Sequence, residues 1–117
     1  MSKVSFENNK VLIGRKVIKE FPRPIEGIVK TNTLIIVLLE YDVNSKIDLN
    51  VLAINKSGEE IWRIEPDLEA DENNPYVSIQ NDGTDLFKMD GSYVTIDLKT
   101  GKIIKRAKEN NVGRRPW

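Results

Sequence analysis

The stretch VLAINKSGEEIW runs from Val51 to Trp62, and YVTIDLKTGKII, from Tyr93 to Ile104, nearly repeats it. Each copy reads as an apolar strand, an Asn or Asp, a turn with glycine, and a second apolar strand. Ile54 aligns with Ile96, Asn55 with Asp97, Gly58 with Gly101, and Ile61 with Ile103 or Ile104, an offset of 42 to 43 residues. Glycine beside Asn, Ser, Asp or Thr meets the demand of a tight turn for positive φ, so each phrase is a β-hairpin.

The pattern extends outward from these hairpins. Tyr76–Gln80 and Leu86–Met89 flank the turn signal NDGTD, and Val11–Ile13 and Val17–Phe21 flank Gly14-Arg15. Ile25–Val29 is a further strand, after Pro22 and Pro24 interrupt any ladder. Leu34–Tyr41 is apolar on both faces, which marks the central and most buried strand. In SYVTID, Tyr93, Thr95 and Asp97 fall on one face and Val94 and Ile96 on the other. Pro66–Glu72 holds one helical turn at most, its carboxylates near the start. The fold class is therefore all-β: an antiparallel sandwich or partly open barrel of meandering hairpins, with about 8–10 strands.

A chain of 117 residues suits one domain. The expected division is a single all-β domain over 1–108 and a loosely held basic tail over 109–117. No cysteine is present, which removes disulfides, thiolate zinc sites and thiol nucleophiles. No histidine is present either. Histidine is the usual general base near neutral pH and the commonest metal ligand, so serine–histidine and cysteine–histidine hydrolases are excluded. The start MSKVSFENNK lacks a signal-peptide core, and the longest apolar run, Leu34–Leu39, is far short of the ~20 residues that span a bilayer. The expectation is a cytoplasmic protein that makes no membrane contact.

The phrase AINKSGEEIW resembles the blades of quinoprotein-like β-propellers, which read as apolar strand, Asp, short glycine turn, and strand ending in Trp. Propeller blades also recur every ~40–45 residues. The second phrase has Ile104 where the first has Trp62. A chain this long holds two and a half blades at most, roughly, against about four in the smallest closed ring. The resemblance thus implies blade-like sheets without a closed propeller. They could face each other as a sandwich, curl into an open barrel, or complete a ring with a second chain. The sandwich needs no partner and is the expectation; monomer and homodimer both fit. No matched position supplies the funnel or metal site of those enzymes, so no cofactor is expected.

Net charge is zero, but its distribution is uneven. Glu65, Asp67, Glu69, Asp71 and Glu72 stand together with no base among them. Calcium could use such oxygens, but EF-hand spacing is absent. A docking surface for a basic protein is the better functional reading, since clustered carboxylates steer such partners. Tyr76 would anchor that contact, although as a strand tyrosine it serves equally as packing. A solvated loop is the plain alternative. Asp82, Asp85, Asp90 and Asp97 lie on turn signals, where Asp is expected for backbone reasons, and no catalytic residue is assigned. The basic tail with Trp117 could touch phosphates, but nucleic acid is not the expected partner. Trp62 is expected in the core.

By size and charge the chain is similar to small bacterial immunity proteins, which neutralise a toxin. That similarity implies a non-enzymatic binder whose acidic run meets a basic partner. The alternative is a small-ligand-binding or carboxylate-based enzyme module with a pocket between the sheets, using Asp82 and Asp85.

Overall fold

The computed structural model describes residues 3–41, 49–64, 76–80, 83–88 and 92–108, with side chains of the last strand through Lys105. Three antiparallel meanders follow one another along the chain. The first is β1 (Val4–Glu7), β2 (Lys10–Ile13) and β3 (Lys16–Glu20). The second is β4 (Ile25–Lys30), β5 (Ile35–Leu39), β6 (Val51–Ile54) and β7 (Glu60–Arg63). The third is β8 (Tyr76–Gln80), β9 (Asp85–Lys88), β10 (Ser92–Ile96) and β11 (Ile103–Lys108).

The all-β hairpin architecture is as the sequence predicts, with three sheets in place of two. The additional strand, β1, is set by Asn8, whose φ of 56° turns the chain back onto β2. Asn tolerates this left-handed conformation better than most residues.

The second sheet is the middle layer. Along β5, Ile35, Val37 and Leu39 pack with Val11, Phe21 and Ile25 on one side. Ile36 and Leu38 pack with Leu86, Val94 and Ile96 on the other. Strand β6 splits the same way, with Leu52 and Ile54 toward the first sheet and Val51 and Ala53 toward the third. Burial on both faces explains why Ile35–Leu39 carries no polar alternation, while Glu40 and Tyr41, beyond the strand end, are exposed.

The two similar phrases are β6–β7 and β10–β11, the outer hairpins of separate sheets. Their likeness extends to the ladder. One residue bulges out between Ala53 and Ile54 of the first pairing and between Thr95 and Ile96 of the second. The outer hairpin of the first unit, β2–β3, has its register shift between Val11 and Leu12. The extra residue is an isoleucine each time: Ile18, Ile61 and Ile104. Register also corrects the end of the alignment. Trp62 pairs with Ala53, and the residue paired with Thr95 is Lys105, so Lys105 stands in the place of Trp62. The longer second turn shifts the offset by one.

The units stack in the same sense. Gly58, in the β6–β7 turn, sits under the Ile18 carbonyl of the first unit, and Gly101, in the β10–β11 turn, sits under the Trp62 ring of the second. Both glycines have positive φ, 88° and 75°. On the opposite edge β1 contacts β4, and β4 contacts β8. Among the described residues no helix is long and apolar enough to cross a membrane.

Candidate functional site

The turns are built by the residues that the repeat singled out. Asn55 Oδ1 accepts from the backbone N–H groups of Ser57 and Glu59, at 2.9 and 3.0 Å. Asp97 Oδ1 accepts from Lys99 N–H at 2.8 Å, and its carbonyl accepts from Gly101 N–H at 2.7 Å. Asp97 is thus a turn former, as its sequence context implies. Asp85 Oδ1 accepts from the Thr95 hydroxyl at 2.8 Å, across the β9–β10 pair. Asp82 and Asp90 lie outside the described residues, as do Glu65, Asp67, Glu69, Asp71, Glu72 and Trp117. Among the described residues the nominated acids are Asp85 and Asp97, and each is engaged separately, with Thr95 and with its own turn. Among the described residues, no group of three or more Cys, Asp or Glu side chains is placed to hold a metal.

Tyr76 is described, and it is 4% exposed. Its ring belongs to the core between the second and third sheets, with the Lys88 ammonium 5.6 Å from the ring centroid. The packing role weighed for this tyrosine is the one it fills; a ring buried this deeply presents little surface as an anchor. Its backbone is clamped by Asn50, a fully buried side chain. Asn50 Nδ2 donates to the carbonyls of Leu39 and Tyr76 at 2.9 and 2.8 Å, and Oδ1 accepts from Tyr76 N–H at 3.3 Å. Asn50 carries no sequence signal of its own, since a polar residue just before an apolar strand reads as loop. Trp62 is in the core as expected, and its indole N–H donates to the Leu98 carbonyl at 2.7 Å.

Two surface features do not serve the core. The first lies on the stacked outer hairpins, where Val17, Ile61 and Ile104 are 44, 47 and 66% exposed. Each sits on the last strand of its unit, at the bulge or one residue before it. Charged residues surround them: Arg15, Lys16 and Lys19 in the first unit, Lys56, Glu59, Glu60 and Arg63 in the second, Lys102 and Lys105 in the third. Glu60 is paired in part with Arg63, at 3.1 Å.

The second is a groove of roughly 220 Å³ between β4 and β8, the first strands of the second and third units. Each strand bulges at its second residue, Glu26 and Val77, and both residues line the groove. Asp85 does not line it. The sequence signal was Gly27, a glycine inside a strand pattern, which marks a bulge or a close approach.

These features define a class: a stack of antiparallel β-meanders joined layer to layer through their outer hairpins. The chain belongs to the family described as domain of unknown function DUF7957, whose sequence model matches residues 1–108. No curated protein and no solved structure matches it.

Proposed function

We propose that the chain is a non-catalytic, cytoplasmic protein-binding protein of the immunity type. The observation that carries this reading is the exposure of Val17, Ile61 and Ile104, one on the last strand of each unit, among charged residues. Apolar surface rimmed by charge suits recognition of another protein. The acidic run Glu65–Glu72 starts where β7, the strand of Ile61, ends. A basic partner would therefore meet apolar anchors and carboxylates on neighbouring stretches of chain. The blade likeness belongs to the same proposal, with Trp62 closing one unit onto the next and Lys105 at the matching place in the third.

A small-ligand or carboxylate-enzyme reading draws on the groove between β4 and β8. Of its nominated carboxylates, Asp85 is engaged with Thr95 and stands apart from the groove. Protein binding is therefore preferred.

The test is to tag the protein in its native host, identify what co-purifies in stoichiometric amount, and measure affinity with purified components. Reversing the charge of Glu65, Asp67, Glu69, Asp71 and Glu72, or placing Lys at Ile61 and Ile104, should each weaken a basic partner by about ten-fold or more. An affinity unchanged in both variants would overturn the proposal.

A further inference from the structure

We propose that the groove between β4 and β8 takes an extended peptide segment carrying a basic side chain, added as a strand along the β4 edge. This site is separate from the outer hairpins, and its test does not depend on theirs.

Four observations lead there. Both walls are edge strands of their sheets, and among the described residues no backbone hydrogen bond joins β4 to β8. Edge strands carry outward N–H and C=O groups that an added strand satisfies. The groove, at roughly 220 Å³, is smaller than the ~300–1,000 Å³ of drug-sized ligand sites, and it is open. That suits a side chain of a longer ligand better than a whole small molecule.

Gly27 is the third observation. Its φ is not in the left-handed region, and a Cβ added there would meet nothing within 4 Å. The fold itself makes no demand for glycine at this position, although glycine in a strand weakens it by roughly 0.5–1 kcal/mol relative to alanine. Gly58 and Gly101 have positive φ and a neighbour where the Cβ would be; Gly27 has neither. Its bare backbone keeps the groove wall open to an approaching chain.

The fourth is Glu26, the exposed bulge residue on the groove. Its carboxylate makes no hydrogen bond or ion pair among the described residues. A Lys or Arg on the incoming strand complements it, while Val77, Ile28 and Ile79 supply apolar lining for alternate side chains.

A phage-displayed library of random linear peptides panned against the full chain tests this. Selected peptides should alternate apolar residues around a Lys or Arg. Titrated into isotopically labelled protein, they should shift the amide signals of Gly27, Ile28 and Ser78. Gly27→Val should weaken them about ten-fold or more without lowering Tm, and Gly27→Ala, the gentler variant, should weaken them less. Glu26→Lys should turn selection toward acidic peptides. The proposal is overturned if no peptide is enriched, or if selected peptides bind both glycine variants as tightly as the parent. It is also overturned if the free chain dimerises and Gly27→Val abolishes the dimer, since the occupant would then be a second copy.

Discussion

Trp62 lies against Gly101, and its indole N–H donates to the Leu98 carbonyl at 2.7 Å, so the last strand of one sheet closes onto the turn of the next. One contact thus joins the two copies of the repeated phrase. Trp62→Ala should destabilise the protein by about 3–5 kcal/mol, because it removes a large core ring and leaves a cavity. Trp62→Phe retains most of the apolar area but leaves the Leu98 carbonyl without its donor, at about 1–3 kcal/mol. Urea unfolding of the two variants measures both, with the smaller loss expected for Phe.

Three glycine-to-alanine substitutions should separate cleanly. At Gly58 and Gly101 the new Cβ would collide with the Ile18 carbonyl and the Trp62 ring, and both sites have positive φ. The φ penalty alone is roughly 1–2 kcal/mol, and the collision adds to it. Gly27→Ala meets open space, so it should leave stability unchanged or raise it by about 0.4–1 kcal/mol. Thermal melts of the three proteins check the order.

Asn50 holds the end of β5 to the start of β8 through three hydrogen bonds from a fully buried side chain. Asn50→Ala leaves three backbone groups unmet, at about 1–3 kcal/mol for each one that water does not reach. The expected outcome is a loss of about 3 kcal/mol or more in urea unfolding. Asn50→Leu should fare no better, since apolar volume does not replace the bonds.

Asn55 and Asp97 each cap a turn by accepting, through Oδ1, from the N–H two residues on, and Asn55 Nδ2 also donates to Glu59 Oε1 at 2.9 Å. Asp97→Asn keeps the acceptor and should therefore stay within about 0.5 kcal/mol of the parent protein, whereas Asn55→Asp loses the amide donor and sets a second carboxylate against Glu59, so it should be the more destabilising exchange. Alanine at either position removes the acceptor, and about 1 kcal/mol should be lost by chemical denaturation.

The hairpins were legible because their turns depend on residue types with few substitutes. Glycine supplies positive φ at Gly58 and Gly101, and Asn55 and Asp97 supply the local acceptor. Ile35–Leu39 was legible as the central strand because burial on both faces removes polar alternation. Assignment of strands to layers was not, since periodicity tells which residues share a face and nothing of what covers it. The first strand was missed because its turn is Asn8-Asn9, without glycine. Trp62 was matched to Ile104 because the β10–β11 turn is one residue longer than the β6–β7 turn, which shifts the register by one without altering composition. The nominated acids from Glu65 to Glu72 lie outside the described residues, and the groove at Gly27 depends on a contact between distant strands that no local pattern encodes.

The central structural claim is that the repeated phrases belong to successive layers joined at Trp62. Nuclear Overhauser contacts from the Trp62 ring test it most directly. The account predicts strong contacts to the Gly101 α-protons, which the ring current should displace upfield, and slow exchange of the Trp62 indole proton. Cross-strand backbone contacts pairing β7 directly with β10 or β11 would place both hairpins in one sheet and contradict it.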